Sequence, residues 1–234
     1  GYTSVLPDLR EYKGIVIRDV THSFFSTYYS DADYYFGSLR KWCGVWTGGY
    51  GWTRDGHKLA EGKDSDKGYS PLRKQAMEQK TEYINGQREG KGYLNIFNEA
   101  EDVLDYVGIA PAIDRDVQLA QRLDVELIKC SRRRNAEVLR RAFPEWLIFP
   151  KLSRLDTPMF VPVLVPDGKR NELRRHLIKQ DIYCPIHWPI SEYHKLDGRT
   201  AFIYENELSL VCDQRYTEDD MFRMVEAIKD FIEV

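Results

Sequence analysis

The chain has 234 residues, 42% of them apolar and 30% charged, which suits one large or two modest globular domains. Its net charge of -3 gives no electrostatic basis for binding nucleic acid or an anionic membrane, and no apolar run is long enough to span a bilayer. The four cysteines are far apart and form no CxxC pair, which excludes a common zinc pattern and predicts reduced thiols in a cytoplasmic protein without a metal.

The first elements predicted along the chain are three strands. Residues 14–18, GIVIR, are a short β-branched run that predicts a fully buried strand of a parallel sheet. The sequence DVTHS follows from Asp19, at the carboxyl end of that strand, where open α/β sheets place their ligands. Residues 33–37 predict a second strand, and residues 49–53 predict a third.

Helices are predicted over the middle of the chain. Ser70-Pro71 is typical of a helix start, with a serine N-cap and proline at the first helical position. The segment 71–107 is predicted as helical, with a break at three glycines, Gly86, Gly90 and Gly92. Residues 113–142 predict one long amphipathic helix, and its arginine run 132–134 predicts a solvated face.

The last ninety residues have a different pattern. They predict a strand at 159–166, a helix at 171–180, a strand or extended segment at 181–189, a strand at 208–214, and a helix after Thr217. Thr217 is an N-cap residue followed by an acidic first turn. This order predicts a small α+β domain over residues 149–234, after a first domain over residues 1–148.

Two charged residues, Asp19 and Lys41, carry the functional hypothesis. Each follows a predicted strand, and the side chains meet at one rim of the sheet if the two strands run parallel. Taken singly, Asp19 is also explained as a strand-end turn, and Lys41 as a surface lysine. Together they suit pyridoxal phosphate (PLP), because lysine forms a Schiff base with an aldehyde and aspartate keeps a pyridine nitrogen protonated.

The motifs RDVTHS, GSLRKW and VPVLVPDGKRNELRRHLIKQDIYCPIHWP resemble those of fold-type I PLP-dependent enzymes. The resemblance covers nearly the whole chain and is nearest to the sugar-aminotransferase-like (DegT/DnrJ/EryC1/StrS) and cysteine-desulfurase-like branches. It implies an α/β fold: the C-terminal part of a PLP-dependent transferase large domain, with a mostly parallel sheet, followed by the small α+β domain. The desulfurase branch is disfavoured, since Cys184 and Cys212 lie in strand-like contexts rather than on a mobile loop.

The resemblance also implies a role for each residue of the first two motifs. Asp19 would pair with the ring nitrogen of PLP, and His22 would contact the side of the ring that carries the hydroxyl group. Lys41 would form the internal aldimine. Ser38 and Arg40 would bind the phosphate, which suits a hydroxyl and a cation. A structural histidine remains the alternative for His22.

The C-terminal motif DIYCPIHWP resembles the segment of the small domain that faces the substrate, which makes His187 a weaker candidate for substrate contact. A packing role beside Trp188 is its alternative. The resemblance implies an aminotransferase that forms a homodimer and moves an amino group from a small-molecule amino donor to a keto acceptor, with a keto-sugar nucleotide as one candidate. The alternatives are a PLP lyase or desulfurase-like enzyme, or a non-catalytic fragment or binding module that keeps the fold.

Members of the family place roughly the first half of the large domain ahead of the strand that carries the aspartate. We therefore expect this chain to be a fragment of a longer protein, or to receive the remaining half from another polypeptide. The GIVIRD strand would otherwise leave an interior edge unpaired, which favours aggregation.

Overall fold

The computed structural model describes residues 2, 9, 11–26, 32–54, 56, 59–187 and 190–233. Its strands are β1 (Ile17–Asp19), β2 (Tyr34–Ser38), β3 (Gly49–Thr53), β4 (Phe160–Leu164) and β5 (Glu207–Val211). Its α-helices are α1 (Tyr69–Ile84), α2 (Tyr93–Val103), α3 (Asp114–Gln121), α4 (Val125–Ala142), α5 (Arg170–Lys179), α6 (Gly198–Asn206) and α7 (Glu218–Ile232). Over these described residues, no helix combines the length and the apolar character that a membrane span requires.

The chain divides into two compact units. The N-terminal unit comprises Asp8–His22 and Ser30–Leu123, and the C-terminal unit comprises Gly1–Pro7, Ser23–Tyr29 and Asp124–Val234. The predicted boundary between residues 148 and 149 lies inside the C-terminal unit, in which helix α4 packs against α7 and β4.

The N-terminal unit contains a three-stranded sheet in the order β1-β2-β3. Strand β1 runs parallel to β2, as predicted, with Ile17 opposite Tyr34 and Asp19 opposite Phe36. Strand β3 is antiparallel to β2, so the expectation of a mostly parallel sheet is wrong for this part of the chain. The link between β2 and β3 is too short for the crossover that a parallel pair needs, which accounts for the antiparallel arrangement.

Strand β1 is shorter and more exposed than predicted. It has three residues, and the side chain of Ile17 is 64% exposed. On the same face of the sheet, Phe36 of β2 is 48% exposed. The prediction of a fully buried strand is therefore wrong, although strands β2 and β3 lie where the sequence placed them.

The helices of the N-terminal unit start and stop where local side chains dictate. The predicted glycine break separates α1 from α2, and Gly86 and Gly90 both have positive φ angles, of 70° and 74°. Helix α1 starts two residues earlier than predicted, since its N-cap is Gly68 and not Ser70. The carboxylate of Asp66 accepts hydrogen bonds from the backbone N–H groups of Gly68 and Ser70 and organises this start.

The predicted single helix over residues 113–142 is two helices, α3 and α4. The break falls at Asp124, whose side chain accepts a hydrogen bond from the backbone N–H of Leu127 at 2.9 Å and caps α4. Apolar spacing continues across the break, which is why periodicity alone did not predict it.

The core of the C-terminal unit lies on the antiparallel pair β4-β5, which α4, α5 and α7 cover. The fully buried apolar side chains include Leu139, Val161, Val163, Leu173, Leu177, Leu208, Leu210 and Ile228. The polar side chain of Asn135 is also fully buried in this unit. The predicted N-cap of the last helix is confirmed, because Thr217 and Asp220 form a reciprocal capping box. Helix α6 was not predicted, and the extended segment after residue 181 forms no strand in its described part, which excludes residues 188 and 189.

The prediction of a solvated face for the arginine run on α4 is wrong for Arg132 and Arg133, whereas Arg134 is exposed as predicted. Arg132 is 3% exposed, and its guanidinium donates to Gln214 and to the carbonyl oxygens of Pro158 and Met159. Arg133 donates to the carbonyl oxygens of Ser153 and Asp156. These acceptors lie far away in sequence, so a local charge pattern could not predict the burial.

Candidate active site

The parallel strands β1 and β2 bring their carboxyl ends to one edge of the sheet. Asp19 ends β1, and the next residue, Val20, donates its backbone N–H to the carbonyl oxygen of Phe36 at 2.8 Å. Ser38 ends β2 two residues after Phe36. The sequence prediction that these two strand ends lie side by side is therefore confirmed.

Asp19 is exposed, and its carboxylate accepts a hydrogen bond from the backbone N–H of Thr21 at 2.8 Å. Burial, and after it the negative charge of Asp19, raises the pKa of the Tyr50 phenol of β3. A Cβ atom at Gly37 would clash with the Tyr50 hydroxyl and lie 3.2 Å from the Thr21 nitrogen. Gly37 therefore permits the close approach of Tyr50 to the edge that carries Asp19.

The hydroxyl of Ser38 is the most informative atom at this edge. Its Oγ is buried and has no hydrogen-bond partner among the described residues. Burying a hydroxyl without a partner costs about 1–3 kcal/mol, so buried polar atoms in native proteins are rarely left unpaired. The Ser38 Oγ thus suits a site where an added polar group completes its hydrogen bonding.

A single turn of 3₁₀-helix, Leu39–Lys41, carries the next two predicted residues. The guanidinium of Arg40 extends to the helices, where Nη1 donates to the Tyr69 hydroxyl at 2.5 Å and to Glu101 at 2.8 Å. Lys41 ends the turn and is exposed. The structure thus directs Arg40 towards α1 and α2, and its role as a phosphate ligand stays a prediction.

Trp42 holds this turn against the loop that follows β1. Its side chain is 2% exposed, and its Nε1 donates to the carbonyl oxygen of Thr21 at 2.6 Å. His22, the next residue of that loop, is half-buried. The hydrogen bond therefore ties the loop with Asp19 and His22 to the turn with Lys41, a connection for which the sequence analysis had no signal.

Asp116 of α3 is a second supporting residue that the sequence analysis missed. It is 2% exposed, and its Oδ2 accepts hydrogen bonds from the Trp46 and Thr47 backbone N–H groups and from the Thr47 hydroxyl, at 2.9, 2.7 and 2.9 Å. These contacts hold the link between the Lys41 turn and β3. An aspartate within an amphipathic helix gives no local sign of such a distant partner.

His187 belongs to the C-terminal unit, whereas the other five predicted site residues belong to the N-terminal unit. It is half-buried, and its Nδ1 lies 2.9 Å from the hydroxyl oxygen of Ser209. The structure therefore joins Asp19, His22, Ser38, Arg40 and Lys41 within one unit and gives His187 a separate, hydrogen-bonded setting.

The buried cysteines do not suit nucleophilic chemistry. Burial raises the pKa of Cys184 to about 11 and that of Cys212 to about 12. Burial also raises the pKa of Cys43, which is only half-buried. Since the thiolate is the reactive form, these three thiols are poor nucleophiles at neutral pH.

The sequence matches no family model and no curated protein. Among solved structures, the chain is similar to the PMP form of Spr1654 from Streptococcus pneumoniae, which is assigned as a sugar aminotransferase. The two chains are 14% identical, and the match covers 97% of this chain and 61% of that chain, with a TM-score of 0.58. It is also similar to a DegT DnrJ EryC1 StrS aminotransferase from Brucella abortus, with 13% identity, 93% of this chain and 57% of that one covered, and a TM-score of 0.57. These matches establish a fold shared with aminotransferase chains.

The chain spans about three fifths of the length of each of these two structures. The shared fold agrees with the α/β resemblance that the sequence motifs indicated.

Proposed function

We propose that this chain is part of a PLP-dependent aminotransferase and contributes the lysine, the aspartate and one phosphate ligand of its active site. The observation that supports this most strongly is the unpartnered, buried hydroxyl of Ser38 beside the strand end that carries Asp19. Lys41 follows one turn later, and the chain shares its fold with aminotransferases whose solved forms include PLP and PMP states.

PLP, when bound, supplies a protonated pyridine ring that withdraws electron density from the carbon bearing the substrate amino group. Asp19 would hold the proton on the ring nitrogen, since a carboxylate beside that atom favours its charged form. The Ser38 hydroxyl would donate to the phosphate and so complete its own hydrogen bonding. His22 would contact the hydroxyl side of the ring.

Lys41 would act through its Nζ atom. It would bind the cofactor covalently between turnovers, and as a free amine it would move a proton at the substrate carbon. The exposure of Lys41 suits both roles, because the amine needs access to an incoming substrate. Arg40 would add positive charge near the phosphate if its guanidinium leaves Tyr69 and Glu101.

The substrates we propose are an amino-acid donor and a keto acceptor, with a keto-sugar nucleotide as the first candidate. The structural similarity to Spr1654, assigned as a sugar aminotransferase, supports this choice. We further propose a cytoplasmic homodimer, in which the remaining two fifths of the fold comes from a longer chain or from another polypeptide.

A non-catalytic module with the same fold is the second candidate. The engagement of Arg40 with Tyr69 and Glu101 favours it, because that geometry takes one predicted phosphate ligand away from the strand end.

The two candidates differ in whether Lys41 reacts with PLP. We expect the full-length protein to develop the visible absorbance of a lysine-bound cofactor when PLP is added. Lys41→Ala should abolish this absorbance, whereas Lys63→Ala, at another exposed lysine of the same unit, should retain it. Equal absorbance in the two variants would refute the assignment of Lys41, and no absorbance in the unaltered protein would favour the non-catalytic module.

A further inference from the structure

Two arginine side chains of the N-terminal unit converge on one carboxylate. Nη1 of Arg40 lies 2.8 Å from Oε1 of Glu101 on α2, and Nη1 of Arg73 on α1 lies 3.4 Å from the same oxygen. The two arginine side chains are 20% and 13% exposed, whereas the Glu101 side chain is 51% exposed. Tyr69 on α1 and Phe97 on α2 complete this group of five residues, the Arg40–Arg73 cluster.

The positive charge of the cluster exceeds the negative charge of its carboxylate. An arginine guanidinium stays charged in proteins, and one carboxylate carries at most one negative charge. Among the described residues, Glu101 is the one acidic residue that forms an ion pair with Arg40 or Arg73. At least one positive charge is therefore unbalanced, whether or not Glu101 is ionised. Burial lowers the pKa of Arg73, and the positive charge of Arg40 acts in the same direction.

The cluster also has more hydrogen-bond donors than acceptors. Nη1 of Arg40 donates to the Tyr69 hydroxyl at 2.5 Å, and the hydroxyl oxygen must accept because a guanidinium only donates. The hydroxyl proton of Tyr69 thus has no acceptor in the part of the chain that the structure describes. Nε of Arg73 is buried and has no hydrogen-bond partner there either. Both donors therefore suit an acceptor that the described residues do not supply.

Aromatic rings restrain the two guanidinium groups. The Cζ atom of Arg73 lies 4.6 Å from the centroid of the Phe97 ring, and the Cζ atom of Arg40 lies 5.6 Å from the centroid of the Tyr69 ring. Cation–π attraction holds a guanidinium at such distances, and its N–H groups can still form hydrogen bonds in its own plane. The donors are thus positioned before a ligand binds, which lowers the entropic cost of binding.

We propose that the Arg40–Arg73 cluster is an oxyanion-binding site and that its ligand is a phosphoryl group. The three terminal oxygens of a phosphoryl group can accept hydrogen bonds from Arg40, Tyr69 and Arg73 together, whereas a carboxylate has only two oxygens. Glu101 competes with the ligand for the arginines, and its half-exposed side chain can give way. The site is additional to the cofactor contacts proposed above, because it keeps Arg40 at α1 and α2.

Inorganic phosphate is the probe for this site, titrated into the full-length protein by calorimetry. We expect saturable binding that Tyr69→Phe weakens about 10- to 100-fold, as for the loss of one hydrogen bond to a charged group. Arg88→Gln is the control, since Arg88 pairs with Glu82 elsewhere in the same unit, and it should retain the affinity. Absence of saturable binding, or equal affinity in Tyr69→Phe and the unaltered protein, would overturn the proposal.

A change of opposite sign tests the charge argument. Glu101→Gln should tighten phosphate binding about two- to fivefold, because it removes the competing charge from a half-exposed position. Glu99→Gln, at an exposed carboxylate of the same helix, should leave the affinity unchanged. Unchanged or weaker binding in Glu101→Gln would contradict the excess of positive charge. This variant also decides the proposal if Tyr69→Phe does not fold.

Two further titrations identify the source of the phosphoryl group. Phosphate should still bind, with the same sensitivity to Tyr69→Phe, after PLP is attached at Lys41. Loss of phosphate binding on attachment would assign the cluster to the phosphate of PLP and overturn an additional site. Acetate that displaced phosphate at equal concentration would overturn the phosphoryl assignment. Failure of PLP to react with Lys41 would instead refute the proposed function, and the titrations without PLP would still decide this site.

Discussion

Replacing Asp116 with alanine should loosen the segment between the Lys41 turn and β3. The change removes the acceptor of the Trp46 and Thr47 backbone N–H groups and of the Thr47 hydroxyl. Each buried donor left without a partner costs about 1–3 kcal/mol, so two backbone donors predict about 2–6 kcal/mol. Because Trp46 and Thr47 are only half-buried, water can reach part of the segment, and we expect the lower end, about 2–3 kcal/mol.

Urea unfolding and amide hydrogen exchange measure this effect. The matched control is Asp114→Ala, an exposed carboxylate in the first turn of the same helix, which should cost only about 0.3–1 kcal/mol through the helix dipole. Exchange at Trp46 and Thr47 should accelerate in Asp116→Ala and not in the control. Equal urea midpoints for the two variants, with exchange at these amides unchanged, would refute the reasoning.

Three further changes test other parts of the structure. Gly37→Ala should weaken PLP binding to the full-length protein in an absorbance titration, since its Cβ would displace the Tyr50 hydroxyl; unchanged affinity would contradict this placement. Asp124→Ala should lower the free energy of unfolding by about 1 kcal/mol through loss of the α4 cap, and an unchanged urea midpoint would argue against the cap. Burial opposes the ionisation of the Asp213 carboxyl. The hydrogen bonds that Arg215 donates, together with the positive charge of Arg215, nevertheless lower the pKa of this carboxyl below its usual value. This contribution to stability is present above about pH 4 and is lost as the pH falls further, so Asp213→Asn should flatten the decline of the urea midpoint in acid; an equally steep decline would contradict it.

Much of the fold could be predicted from the sequence, because the residues that determine these elements lie close together along the chain. Strand β2, the glycine break after α1 and the capping box at Thr217 each depend on residues within a few positions of one another. The parallel pairing of β1 with β2 also followed, since it needs only two strands and a connection of sufficient length.

Other features depend on distant residues, and the sequence pattern did not contain them. A β-branched run predicts a strand but not what covers it, so the exposure of Ile17 was missed. The buried side chain of Arg132 donates a hydrogen bond to Gln214, a partner 82 residues away in sequence. The N-cap at Asp124 was missed for a different reason, because the apolar spacing of one helix runs on into the next.

In the candidate site, too, features with local sequence signals could be predicted and features that depend on distant residues could not. The positions of Asp19 and Ser38 at the ends of β1 and β2 could be predicted, because strand ends have local sequence signals. The roles of Asp19, Ser38 and Lys41 in a site stay predictions. The contributions of Tyr50 and Asp116 could not be predicted, since both act through long-range contacts. Roles that depend on the cofactor, such as that of His22, stay predictions.

We propose that Lys41 is the residue that binds PLP. The most direct test is to add PLP to the full-length protein, reduce with borohydride, and map the modified peptide by mass spectrometry. We predict a single pyridoxyl group on Lys41, in a peptide that is absent from Lys41→Ala and present in Lys63→Ala. A pyridoxyl group on another lysine, or none on the unaltered protein, would contradict the claim.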